Sequence, residues 1–175
     1  MHTARTIGAV VAAVAAGLSS TYTHAQEFTT QLSGFNEVPA AILSPGTGVL
    51  HLNLDAQAGT LSYTLSYSDL TTPVTQAHIH FGKEHVAGGV MVFFCSNMGN
   101  APAGTPPCPE SGGTVNGAIT ADGVVGPEQQ NVTPRDFNAL VAAITSQTGY
   151  ANVHTTKFPP GEIRGEIRMT DQDGG

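Results

Sequence analysis

Charge is scarce in this sequence. Asp, Glu, Lys and Arg together make up 11% of its 175 residues, against roughly 25% in ordinary soluble domains. Coiled coils and helix bundles consume Glu, Lys and Ala in periodic stretches, so both are excluded. Basic residues are scarcest of all, 6 against 13 acidic ones, for a net charge of −7. A nucleic-acid partner needs a basic surface to displace phosphate counterions, and none can be assembled here. Cysteine occurs twice, with no second pair to make a zinc module. No Gly-x-Ser-x-Gly elbow is present, and the Gly88-Gly89 pair leads into a strand and not a helix. Nucleophilic catalysis and phosphate cradling therefore have no support. No long hydrophobic run exists either. The longest, Ile7 to Leu18, would reach only ~18 Å as a helix, short of the ~30 Å core of a bilayer.

What is present is glycine and proline, 21 and 11 residues, and 40% hydrophobic content. That is enough apolar surface for a real core, which excludes global disorder. It favours many short strands joined by turns. The amino-terminal segment stands apart. Arg5, the apolar stretch Ile7 to Leu18, the polar residues Ser19 to His24 and then Ala25 follow the order of an export signal. Residues 1–25 are expected to be that signal, with Thr23 standing where Ala is commonest. Residues 26–170 are expected to form one domain, and 171–175 a frayed tail. Export places the protein in the periplasm or outside the cell. Its partner would then be an extracellular or envelope component, with no nucleic acid and no transmembrane segment after cleavage. In an oxidising compartment Cys95 and Cys108, close in sequence, are expected to be bridged. The loop between them is rich in Asn, Gly and Pro, and closing it is worth roughly 3 kcal/mol in the chain-entropy treatment.

Strand periodicity runs through the rest. Phe28 to Ser33 reads as a short first strand. Gly48 to Asp55 alternates, with Leu50, Leu52 and Leu54 on one face. Thr60 to Ser68 alternates again, and the two form a hairpin. In Val74 to Phe81, Ala77, Ile79 and Phe81 make the apolar set, so Gln76, His78 and His80 face the other way. Gly88 to Cys95 is apolar on both faces and reads as a central strand. Gly113 to Thr120 is a weaker strand. Thr133, Pro134 and Asp136 predict a capped helix whose apolar face carries Phe137, Leu140, Val141 and Ile144. Tyr150 to Thr155 and Glu162 to Met169 are the last strands. The fold class is all-β: an antiparallel β-sandwich, Ig-like or another Greek key, or a barrel, with one short helix.

The chemistry concentrates on histidine. His78 and His80, at i and i+2 on a strand, share a face ~6.5–7 Å apart at Cα. His154 lies with Asn152 on the non-core face of a later strand. His85, in the glycine-rich loop after the pair, is a fourth candidate. Imidazole suits copper and zinc alike, so these are the candidate metal ligands. The alternative is that His78 and His154 hydrogen-bond each other or the backbone and lock two strands. In the last strand Glu162, Arg164, Glu166 and Arg168 share one face. This is either solvated charge or, for Glu162 and Arg164, support beside the histidines together with Asn152.

Four segments carry a resemblance. Gly34-Phe35-Asn36-Glu37-Val38-Pro39, Ala77-His78-Ile79-His80-Phe81-Gly82, Tyr150-Ala151-Asn152-Val153-His154-Thr155 and Pro160-Gly161-Glu162-Ile163-Arg164-Gly165-Glu166-Ile167 resemble the chordin-type (CHRD) domain. The resemblance implies a single exported CHRD domain acting as a non-enzymatic binding or structural module of an envelope or extracellular matrix. The Ala-His-Ile-His-Phe-Gly run is also distantly similar to the copper-ligand strand of copper/zinc superoxide dismutases. That similarity implies the alternative, a copper-binding redox domain using His78, His80 and His154, with Arg164 in the place of a substrate-guiding arginine. The bridging and zinc-ligand residues of those enzymes have no counterpart after His85, so it implies one metal and not two.

Overall fold

The computed structural model describes residues 25–170. The expected signal segment before Ala25 and the expected tail 171–175 lie outside the described residues. Nine strands form one continuous antiparallel sheet. They are β1 (Gln26–Ser33), β2 (Thr47–Asp55), β3 (Thr60–Ser68), β4 (Val74–Phe81), β5 (Gly89–Ser96), β6 (Gly113–Ile119), β7 (Gly149–Thr155), β8 (Ile163–Glu166) and β9 (Arg168–Met169). The order is β5-β4-β7-β8-β1-β2-β3-β6, with β9 also paired to β1. The sheet wraps round its apolar face. Tyr63 on β3 donates its hydroxyl to the Phe94 carbonyl of β5, and the two rings pack 4.9 Å apart. The result is all-β with one short helix, as the periodicity predicts. Among the described residues no helix is long and apolar enough to cross a membrane.

The alternation in β2 and β3 buries Leu50, Leu52, Leu54, Leu61, Tyr63, Leu65 and Tyr67, the inward residues of a hairpin in full register. Ala77, Ile79, Val153, Ile163 and Ile167 complete the core opposite them. Phe81 departs from expectation. It is only partly buried, because it ends β4 at the rim where the sheet opens. Ile79 has no exposed surface. Its replacement by Ala should cost about 2–5 kcal/mol of unfolding free energy in a urea titration, whereas Phe81→Ala should cost less. A loss at Ile79 below about 0.5 kcal/mol would mean that the faces of β4 are assigned the wrong way round.

Three further elements differ from the sequence reading. Gly88 to Cys95 reads as central but β5 ends the strand order. Its apolar character is explained by a cover: Val125 N–H bonds to the Met91 carbonyl, Gln130 accepts from Gly89 N–H, and Val124 and Val132 are buried beside it. Edge strands are commonly protected in this way. The helix α1 (Phe137–Thr145) begins later than Thr133. Arg135 takes φ of 71°, which closes a turn before the helix, and Asp136 caps it by accepting from Ala139 N–H. The last strand is interrupted at Ile167, whose N–H bonds to the Gly149 carbonyl. Cys95 and Cys108 are disulfide-bonded, as expected.

Candidate metal centre

Side-chain alternation gives β4, β7 and β8 one apolar and one polar face. The apolar face holds Ala77, Ile79, Ala151, Val153 and Ile163. The polar face is laid out by register. His78 pairs with Asn152, which pairs with Arg164, and His80 pairs with Tyr150, which pairs with Glu166. Gln76 pairs with His154. Against β5 the pairing of β4 slips twice, between Ala77 and His78 and between Ile79 and His80. Such bulges re-aim side chains next to functional sites. The face is not in water: His78, His80 and His154 are 2%, 8% and 4% exposed, and Arg164 is fully buried. Segments from three loops cover it through Asn36 and Glu37, Lys83 to Gly88, and Pro159.

The three imidazoles converge. Each offers one ligand nitrogen, and these atoms lie within 4.8 Å of one another. His80 Nδ1 is 3.0 Å from the Gly88 carbonyl, and His154 Nδ1 is 2.9 Å from the Pro159 carbonyl. A carbonyl only accepts, so both Nδ1 atoms carry the proton. In a neutral ring each Nε2 is then a bare lone pair. His78 Nδ1 lies 3.0 Å from His154 Nε2 and must donate to it. The Nε2 atoms of His78 and His80 are buried with no partner. Backbone carbonyls that fix the ring tautomer in this way are the usual support of metal-ligating histidines.

Electrostatics keep the rings neutral. Burial, then the neighbouring His154 and His80, pushes His78 down to about 2. Burial pushes His80 down to about 4, against the opposing Gly88 hydrogen bond. Burial also lowers His154, partly offset by Pro159. All three therefore stand in the ligand form at neutral pH. For His78 Nδ1 and His154 Nε2 to bind one ion, the His78 proton has to move to Nε2. Two nitrogens bound at ~2.0–2.1 Å in tetrahedral geometry are ~3.3 Å apart, so their 3.0 Å contact then opens by only a few tenths of an ångström.

The other expected residues divide. Asn152 sits in the middle of the polar face. Arg164 does not carry solvated charge. Its guanidinium lies 3.5 Å over the Tyr150 ring, which stacks on His80 at 4.9 Å with 5° between planes. It donates to Glu166 Oε1 at 2.8 Å and to the Lys83 and Val86 carbonyls, holding the loop whose Gly88 carbonyl orients His80. Glu162 turns away from the histidines. It accepts from the hydroxyls of Ser44, Thr71 and Thr155 and from Thr71 N–H. His85 lies outside the cluster on an exposed loop, 3.6 Å from Glu84.

Sequence reasoning missed Tyr150 and Glu37. Tyr150 reads as ordinary strand apolarity. Glu37 is buried, its Oε2 accepting from Asn152 Nδ2 at 3.4 Å. Burial pushes its carboxyl up to about 7, against the opposing effects of Val38 N–H, Asn152 and Arg164. The signal for it was a lone acid in an otherwise uncharged run, Gly34 to Pro39. Among the described residues the buried side-chain atoms without a partner are Glu37 Oε1, His78 Nε2, His80 Nε2, Asn152 Oδ1, Arg164 Nη1 and Glu166 Oε2. All belong to this one face. Buried polar atoms are rarely left unpaired, so their concentration marks a binding site.

Residues 28–167 match the CHRD domain family, and the chain belongs to it. No curated protein and no solved structure matches the chain.

Proposed function

We propose that this CHRD domain is an exported, non-enzymatic binding module whose function rests on one copper or zinc ion held by His78, His80 and His154. The observation that carries the reading is the convergence of three buried neutral imidazoles, two of them oriented by backbone carbonyls. An all-imidazole donor set suits copper and zinc and does not suit calcium or magnesium, which take oxygen. Export is supported by the patterning of residues 1–25 and by the Cys95–Cys108 bridge, which belongs in an oxidising compartment. An envelope or extracellular matrix partner follows from that location.

The copper-redox reading keeps one supporting observation. Three ligands leave a coordination position open, and Arg164 Nη1 is unpartnered on the same face. Access counts against it, since the rings expose 8% or less. Elemental analysis of the protein purified without an affinity tag, after loading with copper or zinc and dialysis, tests the binding reading. About one ion per chain is expected, and none in the double variant His78→Ala, His80→Ala, because one imidazole cannot hold the ion alone. Wild-type protein that takes up no ion, or a double variant that keeps a full one, would overturn it. Dismutase activity in the copper-loaded protein, absent in the double variant, would favour the redox reading.

A further inference from the structure

One ionisable group on the polar face is not used by the three-imidazole reading. Glu37 follows the 3-10 turn Gly34–Asn36, its N–H bonded to the Gly34 carbonyl, and is 7% exposed. One carboxyl oxygen rests on the Asn152 amide and the other has no partner. Register fixes its position. Asn152 is paired with His78 on one side and Arg164 on the other. Glu37 therefore sits over the residue one strand spacing, ~4.8 Å, from a proposed ligand. It touches no proposed ligand itself.

Charge balance gives that position a meaning. A divalent ion on three neutral imidazoles adds two positive charges to a buried face. Uncompensated charge there is costly. The other acids of the face are committed. Glu166 is paired with Arg164 at 2.8 Å. Glu162 is turned onto Ser44, Thr71 and Thr155. The remaining charged and titratable groups facing Glu37 are Arg164 from β8, Tyr150 from β7 and, across Asn152, His78 of β4. None of them can supply negative charge at neutral pH. Among the described residues of this face, Glu37 is the one acid left.

Building on the metal reading above, we infer that Glu37 is the charge-compensating group of the centre. Binding of the divalent ion sends one proton from the Glu37 carboxyl to solvent and leaves a carboxylate that balances one of the two added charges. No other bond is made or broken. Ion uptake and proton release are then one event, and affinity rises with pH through the titration of Glu37. Glu37, pushed up to about 7 by burial, still carries its proton near pH 6, and its unpartnered oxygen is the one that gains the charge.

Zinc is the probe, since it has no redox chemistry. Calorimetric titration of the full chain with zinc at about pH 6, in two buffers of different ionisation enthalpy, should show about 0.9 proton released per ion. Between about pH 6 and pH 8 the wild-type affinity should rise roughly tenfold. Glu37→Gln, which mimics the protonated acid, should bind zinc with no proton released and lose that rise. Infrared difference spectra of the wild type supply a readout independent of the variant: zinc should convert a protonated carboxyl band to a carboxylate band. Zinc binding with no proton released, with unchanged release in Glu37→Gln, or with no carboxyl conversion overturns this inference and leaves the metal reading standing. No zinc binding at all overturns both.

Discussion

Glu162→Ala is expected to lower the free energy of unfolding by about 3–5 kcal/mol. The side chain is fully buried and carries no ion-pair partner. Four donors replace one: the hydroxyls of Ser44, Thr71 and Thr155, and Thr71 N–H, at 2.6–3.0 Å. These groups come from the loops before β2 and before β4 and from the end of β7, so one carboxylate ties three chain segments to β8. Removing it strands the donors in a dry site, where each unpaired group costs roughly 1–3 kcal/mol before relaxation. Burial pushes the Glu162 carboxyl up, but the bonds from Ser44, Thr155 and Thr71 outweigh it and hold it below its usual range. A depressed carboxyl stabilises the fold above the unfolded-state value and loses that contribution as pH falls through the folded one. Glu162 thus contributes fully above about pH 5. Urea titration near neutral pH measures the effect, and a loss under about 1 kcal/mol would show that the hydrogen-bond cluster does not hold these segments together.

The metal-free protein should lose roughly 2 kcal/mol of stability or more between about pH 6.5 and pH 4.5. The sign follows from which state takes up protons. His78 and His80 titrate at about 2 and about 4 in the fold, and His154 is also lowered. Unfolding frees all three to bind protons at their ordinary values, so acid favours the unfolded chain. Glu37 opposes this. Its folded carboxyl lies at about 7, so over the same window the folded state holds a proton that the unfolded state has released, and one histidine is cancelled. His78 and His80 less Glu37 leave about one proton taken up on unfolding, at ~1.4 kcal/mol per proton per pH unit, and His154 adds in the same direction. Urea titrations in the presence of a chelator across this range test it. Stability that stays flat or rises on acidification would mean that the imidazoles are not buried as described. Ion-loaded protein should start from a higher plateau, since a ligand that binds only the folded state stabilises it, and fall more steeply, because Glu37 no longer holds the proton that offsets one histidine.

The same neutral rings bear on what the centre can hold. Where solvated histidines compete for protons near pH 6.5, metal occupancy follows that titration. Here burial removes the competition, and the group left titrating near neutrality is Glu37. The loop Lys83 to Gly88 is a structural dependency of the site. Arg164 holds it by two carbonyls and Arg168 by Glu84 at 3.2 Å, and its Gly88 carbonyl sets the tautomer of His80. The stack of Arg164, Tyr150 and His80 fixes the ring plane from the other side.

Much of this was legible from local pattern. A period of two assigns each side chain of β2, β3, β4 and β7 to a face regardless of which strands are neighbours. That is why the leucines of the hairpin, Ile79, Val153 and the shared face of His78 and His80 were all readable. Two cysteines in an expected oxidising compartment could be paired with no geometry at all. What local pattern cannot carry is adjacency. β4 and β7 are separated in sequence by β5, β6 and α1, and only their pairing in the sheet brings His154 to His78. Burial of the polar face is likewise a long-range result, because covering loops from three distant segments and not the strands themselves exclude water from it. So Arg164, for which an alternating Glu–Arg run leaves solvated charge and support beside the histidines both open, becomes a buried cation stacked on Tyr150. Glu37 becomes an acid held near neutrality by desolvation. The apolar β5 reads as central, yet it is an edge strand under the cover of residues 121–136. Periodicity reports the face a residue takes, and the tertiary structure decides what, if anything, lies against that face.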